Sequence, residues 1–594
     1  MTADAFFPAE AASGADPILV GVIGNRLRSI LAEQQNALVN TAFSSVVRES
    51  LDLACSVFDS HGEMIGQSVG GTPGHINAMA TGMHHFVAAY PPEKLEPGDV
   101  LLTNDPWQTA GQINDITVAT PVFLRGTLVA WFASCCHAPD IGGRLVSAEA
   151  NEVFEEGLRL PIMKFLRAGE VNADLELLIR ANVRTPEETI GDLYAQVTGN
   201  EVGAASLVRL LDEFGLDSID PVAAEIMNRS ERALRDALAN LPDGVYTSEL
   251  ATDEDIVLKA KVTIAGEDIH VDFAGSSPQS RRGINVVLNY TRAYASFAIK
   301  AAISPEVPHN AGSFRPVHVT APAGSVLNCD PPAPVASRHL IGHFLPSLLL
   351  SALHEALPGN GSAHSADALW MTIWRGADAG GREFMLNVFQ TGGIGARATK
   401  DGLNTTGFPS GLRSTPTEVI ETMAPLVQRE RVLRVDSGGA GRQRGGLGQS
   451  TTMAARGEIS WSVNGNIDRT RRPASGVDGG GEGTVGRFGL TQGGDLPGKT
   501  RVTLRGSDVV DVVLPGAGGY GDPHERAVGA VLADVVDGYV SIEAARTRYG
   551  VEIQYTGKAD ALVRLPEDYR VDERATLSLR KKGKATQSLR GKGQ

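Results

Sequence analysis

The sequence predicts an α+β protein of several domains, and three observations support this class. Helical apolar patterns and strand-like runs are interspersed up to about residue 370. Beyond that point, glycine-rich turns separate short strand-like runs, and 68 of the 594 residues are glycine. A chain of this length with 42% hydrophobic residues exceeds one typical domain. We therefore predict an N-terminal domain (15–215), a central mixed α/β domain (216–370), a glycine-rich, β-rich C-terminal domain (371–555) and a disordered basic tail (574–594).

The first elements are predicted from cap residues and apolar spacing. Asp16 and Pro17 are typical of an N-cap and the first helical position, and apolar residues recur at helical spacing through Leu31. A strand follows over 54–58. Gly74 and His75 then begin a second apolar helix that runs toward Tyr90.

The later elements follow from the same rules. Residues 145–215 are predicted as mainly helical, including 149–160 and 187–214, and another helix ends at the turn Pro242-Asp243-Gly244. Strands flank Ala265-Gly266, and helices are predicted over 293–303, 345–356, 418–423 and, as a pair, 527–549. The segment after Glu573 has no acidic residue and many basic ones, which is typical of a disordered tail.

The stretch NDPWQTAGQINDITVATPVFLRGTLVAWFASCCHAPDIGG (104–143) places many polar side chains around one predicted β-hairpin. Strands over 118–123 and 127–132 enclose the turn Arg125-Gly126. Folding about this turn brings Asp115 opposite Cys136 or His137, for a loop of two or three residues. Further polar residues fall at the same end of the hairpin, namely Asn104, Asp105, Gln112, Asn114 and Asp140.

This cluster is a candidate site because buried carboxylates and imidazoles are costly unless they are paired or bind a metal. Asp52 and His75 lie in neighbouring predicted elements and can extend it. The mixture of oxygen and imidazole donors suits manganese, zinc or iron. The alternative is that the Asn and Asp side chains only bind turn backbones, as in Asx turns.

The same motifs carry a family resemblance. NDPW, AGQINDITVATPVF and CHAPDIGG resemble segments of the hydantoinase B/oxoprolinase family, which includes N-methylhydantoinase B-like proteins. NTAFSSVVRESLDLACSVFD, STPTEVIE and VDSGGAGRQRGGLG resemble further signatures of that family, in the same order, between about residues 15 and 555. The family contains ATP-dependent hydrolases of hydantoins, 5-oxoproline and lactams, and also ketone carboxylases.

The resemblance implies roles for individual residues. Asp115 and His137 correspond to metal ligands, and Asp52 to a further ligand or base, so these three form the implied catalytic set. From their places in or beside the polar cluster, we also predict substrate contacts by His75, Asn104, Gln112 and Asp140. Gln112 departs from the family, in which many members have histidine. An amide is a weaker ligand than imidazole. The glutamine therefore implies a site that binds its metal more weakly, a site for a different metal, or no metal site.

The resemblance also implies a partner. A hydantoinase A-like subunit with an ATPase fold would hold ATP with magnesium and phosphorylate a cyclic amide, and this chain would complete the hydrolysis as part of a hetero-oligomer. The alternatives are a subunit of a ketone carboxylase of the acetone or acetophenone type, favoured by Gln112, and a non-catalytic assembly subunit.

Composition excludes several other classes. The net charge of −15 argues against nucleic-acid binding. The acidic N-terminus does not resemble a signal peptide, and the longest apolar stretch (340–357) contains His343, Pro346, His354 and Glu355, so we expect no membrane span. Four cysteines without a CxxC motif favour a reducing compartment, the cytoplasm, with the cysteines as small core residues.

Two catalytic patterns are interpreted as accidental. GQSVG (66–70) matches a nucleophile elbow, but four loop residues follow instead of a helix. GGDLPGKT (493–500) matches a P-loop, but a strand-like alternation follows it, so we expect no ATP binding by this chain alone. The glycine clusters at 436–448 and 477–486 are interpreted as turns and subunit contacts, with phosphate binding as the alternative.

Overall fold

A computed structural model describes residues 16–590 apart from positions 358, 360, 368, 458 and 559, and describes only the helical backbone over 582–590. The α-helices are α1 (Pro17–Thr41), α2 (Ser45–Arg48), α3 (Pro73–Ala89), α4 (Ala173–Asn182), α5 (Pro186–Phe214), α6 (Asp220–Ala239), α7 (Leu288–Ile303), α8 (Ala311–Phe314), α9 (His339–Gly342), α10 (Phe344–Ala352), α11 (Thr417–Met423), α12 (Val528–Val536), α13 (Ile542–Tyr549) and α14 (Glu573–Arg590).

The strands are β1 (Leu53–Asp59), β2 (Met64–Gln67), β3 (Val100–Thr103), β4 (Asp115–Leu124), β5 (Thr127–His137), β6 (Met163–Arg167), β7 (Glu170–Val171), β8 (Gly244–Ala251), β9 (Val257–Ala265), β10 (Asp268–Asp272), β11 (Val317–Thr320), β12 (Leu369–Ala377), β13 (Glu383–Thr391), β14 (Leu426–Leu433), β15 (Gln449–Ala455), β16 (Ser460–Asn466), β17 (Arg487–Leu490), β18 (Arg501–Leu504), β19 (Val509–Val513), β20 (Ile553–Tyr555) and β21 (Tyr569–Val571).

These strands form separate sheets along the chain. A seven-stranded sheet has the order β2-β1-β5-β4-β3-β6-β7, and a four-stranded sheet has the order β11-β10-β9-β8. Two further four-stranded sheets, β13-β12-β16-β18 and β14-β15-β19-β17, occupy the glycine-rich region. The predicted mixed, multi-domain class is confirmed.

The hydrophobic core crosses one predicted domain boundary. A single cluster of buried apolar side chains extends from Val100 in β3 to Leu357 after α10. The seven-stranded sheet and the central helices therefore share a core, which fixes their relative positions. The boundaries at residues 215 and 370 stay predictions.

The prediction of a helix over residues 149–160 is wrong. Apart from a short 3₁₀ turn at Val153–Glu155, this segment is irregular. The side chain of Glu156 is buried, and one of its carboxylate oxygens accepts hydrogen bonds from the backbone N–H groups of Val335 and Ala336 at 2.6 and 2.7 Å. A long-range contact with the segment before α9 thus outweighs local helix propensity.

The prediction of a disordered tail is also wrong for residues 574–590, which lie in α14. The carboxylate of Asp572 caps this helix by accepting from the N–H of Ala575. The hydroxyl of the buried Thr576 accepts from the N–H of Glu552, and the guanidinium of Arg580 donates to the carbonyls of Arg526 and Tyr549. Arg580 thus binds backbone carbonyls of the body, a contact that composition alone does not reveal. Residues 591–594 lie outside the described residues.

The structure also bears on two expectations from composition. None of the described helices is long and apolar enough to cross a membrane. The four cysteines are buried and unpaired, which confirms their interpretation as core residues. Residues 1–15, on which the expectation about a signal peptide depends, lie outside the described residues.

Candidate active site

The β4–β5 hairpin brings Asp115 and His137 together through a bulge. The predicted two-residue turn Arg125-Gly126 is present, and both of its residues have the positive φ that such a turn requires. On its own, a two-residue turn would place Asp115 opposite Cys136. A β-bulge near the turn shifts the register by one residue, so Asp115 pairs with His137 instead.

Asp115 is fully buried and receives donors from three segments. Its Oδ1 accepts from Nδ1 of His137 at 2.9 Å, and its Oδ2 lies 3.1 Å from Nε2 of His75. The guanidinium of Arg338 also donates to Oδ2. Burial acts to raise the pKa of Asp115, but the nearby Arg338 charge, followed by His75 and His137, holds it well below its usual value. The carboxylate is therefore permanently ionised at neutral pH.

An ionised carboxylate only accepts hydrogen bonds, so it fixes the tautomers of both histidines. His137 carries its proton on Nδ1, and its Nε2 is buried without a hydrogen-bond partner in the described part of the chain. His75 donates through Nε2, and its Nδ1 lies 3.7 Å from Oδ1 of Asp52. Burial acts to lower the pKa of His75, but the charges of Asp115 and Asp52 outweigh it, so that this pKa is raised.

Local backbone structure explains the positions of Asp52 and His75. Asp52 directly precedes β1, its carbonyl accepts from the N–H of His137, and its carboxylate accepts from the hydroxyl of Thr72 at 3.0 Å. His75 lies in the first turn of α3, as the sequence predicts. A Cβ at the neighbouring Gly74 would overlap the ring of Tyr290, so glycine is required for α3 to approach α7 this closely.

Sequence reasoning missed Arg338, which directly precedes α9. Its side chain is buried, and its Nε donates to the carbonyl of Ala110 at 2.8 Å. The terminal nitrogens donate to Oε1 of Gln112 and Oδ2 of Asp115, and the guanidinium lies 4.2 Å from the centre of the Tyr290 ring. Gln112 in turn donates to the carbonyl of Ala336 at 2.6 Å. Gln112 is therefore a bridge between Arg338 and the backbone before it.

Two further histidines that the sequence reasoning did not assign to the site belong to it. Burial, together with the nearby Arg338 charge, holds the pKa of His339 well below its usual value. Burial lowers the pKa of His343 to about 3, and its Nε2 lies 3.1 Å from the hydroxyl of Tyr294. Both imidazoles are neutral. The available signal was a pair of histidines four residues apart in an otherwise apolar run.

The side chains surround a cavity of about 30 Å³, which has room for water but not for a cyclic substrate. Its walls come from all three predicted domains. The lining residues are Asp52, Thr72, His75, Gln112, His137, Tyr290, Arg338, His339, His343, Leu369, Met371, Phe389, Ser410 and Leu412. Asp115 lies behind this lining and orients the two histidines that face the cavity.

Two of the predicted site residues lie elsewhere. The amide of Asn104 binds only backbone groups: its nitrogen donates to the carbonyls of Ile113 and Leu158, and its oxygen accepts from the N–H of Leu160. The carboxylate of Asp140 pairs with Arg184 at 2.6 Å. Neither side chain lines the cavity. Both hold the loops that flank the hairpin, as the Asx-type alternative describes.

The implied metal ligands do not form a metal site in this geometry. Among the described residues, no group of three or more His, Cys, Asp or Glu side chains is arranged to hold a metal ion. The carboxylate of Asp115 already receives His75, His137 and a guanidinium cation. As they lie, Asp52, Asp115 and His137 do not fit a divalent ion.

Neither of the two catalytic sequence patterns has the structure that its function requires, which confirms that both matches are accidental. Ser68 in GQSVG follows β2, and a loop separates it from α3. The P-loop-like segment is followed by β18 rather than by a helix. Its Lys499 is buried and pairs with Asp468 at 2.8 Å, so the ammonium group already has a carboxylate partner.

Comparison with known proteins decides the family. A family model described as hydantoinase B/oxoprolinase matches residues 16–523. The chain belongs to this family. The resemblance of the motifs to the family is thereby confirmed, and the match covers the hairpin, the central helices and most of the glycine-rich region.

Relatives of the same family match nearly the whole chain. The B subunit of a putative D-/L-hydantoinase from Pseudomonas sp. strain NS671 is 30% identical over 92% of this chain and 96% of its own length. The beta subunit of the caprolactamase from Pseudomonas jessenii is 31% identical over 92% of this chain and 97% of its own length.

Two solved structures have a similar fold. The crystal structure of the ATP-dependent caprolactamase from Pseudomonas jessenii aligns with a TM-score of 0.86 and 29% identity, covering 96% of this chain and all of that one. A nucleotide-free acetone carboxylase aligns with a TM-score of 0.82 and 20% identity over 97% of this chain and 84% of that one. The second likeness shows the fold alone.

Proposed function

We propose that this chain is the B-type subunit of an ATP-dependent cyclic amide hydrolase and acts with an ATP-binding, A-type subunit in the cytoplasm. The observation that carries the proposal is the full-length likeness to the beta subunit of the caprolactamase, at 31% identity. The substrate class is a hydantoin, a lactam or an oxoproline-like ring. The partner holds ATP with magnesium, since this chain has no P-loop followed by a helix in its described part.

In this proposal His137 is the general base and Asp115 orients it. Because the proton of His137 faces Asp115, its unpartnered Nε2 can accept a proton from water in the cavity. Asp52 and His75 form a second pair on the opposite side of Asp115 and, with Gln112, are the proposed contacts to substrate.

The proposed reaction has two hydrolytic steps, which follow a phosphoryl transfer from ATP. The partner transfers a phosphoryl group to the amide oxygen, which activates the ring carbon. Water then adds to that carbon and gives one proton to Nε2 of His137, which passes it to the ring nitrogen as the C–N bond breaks. The proton left on the added oxygen goes to the released amine as the carbonyl forms. An acyl phosphate remains. A second water releases phosphate and leaves the carboxylate. A cavity of about 30 Å³ must open to admit the ring.

A subunit of a ketone carboxylase is the second candidate, because Gln112 departs from the histidine that the family resemblance implies at this position. A non-catalytic assembly subunit is the third candidate. The position of His137 counts against it, because its imidazole lines a cavity with room for water and is held there by the Asp115 carboxylate.

The test is a panel of reactions by the co-expressed complex. The complex is incubated with ATP and a lactam, a hydantoin, 5-oxoproline, or a ketone with bicarbonate, and products are identified by mass spectrometry. We expect ATP-dependent ring opening to an amino acid or carbamoyl amino acid. A β-keto acid as the only product would favour the carboxylase, and no product with any substrate would favour the assembly role. The isolated chain should not bind ATP in calorimetry.

A further inference from the structure

The cavity already contains a fixed positive charge of its own. Arg338 is buried, and an arginine side chain stays protonated at every pH at which proteins fold. Its guanidinium contacts the Asp115 carboxylate and the Gln112 amide oxygen, and the ring of Tyr290 lies under it. The planar group thus has a partner on each edge and on one face.

Three of the four favourable acceptor positions on the Asp115 carboxylate are occupied, including both on Oδ2. Each carboxylate oxygen offers two favourable acceptor positions. Oδ2 receives both His75 and Arg338, and Oδ1 receives His137. A divalent ion at Oδ2 would have to displace the guanidinium or lie beside it, and two cations at contact distance in a buried site repel strongly.

Gln112 is the residue that accommodates the arginine. Its oxygen accepts from Arg338, and its nitrogen donates to the carbonyl of Ala336, two residues before the arginine. Glu156 holds the same segment by accepting from the N–H groups of Val335 and Ala336. Gln112, where the family resemblance implies a histidine, and Arg338 are therefore parts of one arrangement.

The ion pair itself supports the same conclusion. The fully buried Asp115 carboxylate contacts the buried Arg338 guanidinium, so both charges have their partner inside the protein. Asp115 therefore has a cationic partner without a bound metal ion.

We propose that the Arg338 guanidinium is the resident cation of this cavity, in the place that the family resemblance gives to a divalent metal ion. The site is complete without that ion. This inference concerns metal occupancy and does not depend on which reaction the protein catalyses, so it can fail while the proposed function stands.

The test measures metal content of the full-length protein. Wild type is dialysed against chelator, incubated with Mn²⁺ or Zn²⁺, passed through a desalting column and analysed for bound metal, with calorimetric titration in parallel. We expect no stoichiometric binding that depends on Asp115. One equivalent of metal retained by wild type and lost in a folded Asp115→Asn variant would overturn the proposal.

The converse variant removes the Arg338 guanidinium and supplies an imidazole at position 112 as an additional metal ligand. Arg338→Met combined with Gln112→His should retain one equivalent of metal, and adding Asp115→Asn should abolish this gain. Arg444→Met is the matched control, because it removes another buried arginine, which pairs with Asp534, and it should gain no metal. A folded double variant that binds none would also contradict the proposal. If the double variant does not fold, the wild-type measurement decides.

Discussion

Asp115 connects three segments that are far apart in the chain. His75 begins α3, His137 ends β5 and Arg338 precedes α9, and each donates to the same carboxylate. The sequence predicts that replacing Asp115 or His137 costs little stability, since both sit at the end of a hairpin. The structure changes this expectation for Asp115 alone, because its removal leaves the buried Arg338 charge without its carboxylate.

Asp115→Asn and His137→Ala should therefore differ in stability. Losing one partner of a buried ion pair costs about 3–5 kcal/mol, whereas losing a single hydrogen bond costs about 1–3 kcal/mol. Denaturant unfolding of both variants measures the difference. Equal losses would show that Arg338 finds another partner or is not buried in solution.

Glu156 gives a prediction about pH. Burial raises the pKa of its carboxyl group to about 8, despite the two backbone N–H groups from which it accepts. The folded protein thus binds a proton that the unfolded chain releases near its ordinary pKa of about 4.3. This contribution to stability is present at acidic pH and is lost as pH rises toward 8.

Glu156→Gln should remove that dependence, because the neutral amide keeps an oxygen that accepts from Val335 and Ala336. We expect the variant to gain stability relative to wild type as pH rises from 5 to about 8. Thermal melts across this range measure it, and Glu155→Gln is the matched control on the more exposed neighbour. Parallel pH profiles for wild type and Glu156→Gln would refute the assignment.

Among the elements, the hairpin and α14 show most clearly what the sequence can and cannot predict. The turn Arg125-Gly126 and the start of α3 follow from local residue preferences, so the sequence predicts both correctly. The bulge that selects His137 over Cys136 lies between Val122 and Phe123, and the residue types there do not predict it. The tail forms α14 through contacts with the body that composition does not encode.

Arg580 and Arg574 provide a matched test of that helix. Arg580 donates to the carbonyls of Arg526 and Tyr549, whereas Arg574 is exposed. We expect Arg580→Ala to destabilise the protein by about 1–3 kcal/mol and Arg574→Ala by less than about 0.5 kcal/mol. Chemical denaturation compares them. The same small loss in both variants would mean that α14 does not dock in solution.

At the scale of the whole molecule, the cavity forms where three parts of the chain meet. The segment before β1 supplies Asp52, and the hairpin and α3 supply one histidine each. The segment around α9 supplies Arg338 and two more histidines, and β12 and β13 supply apolar walls. The sequence predicts the first group because its members are close along the chain. Arg338 lies 223 residues from Asp115, a separation at which a single sequence has no contact signal.

For Asn104 and Asp140, the sequence predicts a place in the site, whereas the structure places both side chains outside the cavity. Their nearness to the hairpin in sequence suggests the site, but their side chains bind the backbone and a partly exposed arginine. Proximity along the chain predicts the neighbourhood of a polar residue, and only the fold decides which way its side chain faces. The four residues Asp52, His75, Asp115 and His137, which the sequence does place together, are the basis of the proposed chemistry.

The most direct test of that chemistry is ring opening of a lactam by the complex, with wild type and His137→Ala compared at equal folded fraction. The account predicts an ATP-dependent amino acid product from wild type and a loss of about 100-fold or more in His137→Ala, the usual effect of removing a general base. Wild-type turnover in a folded His137→Ala variant would contradict the account.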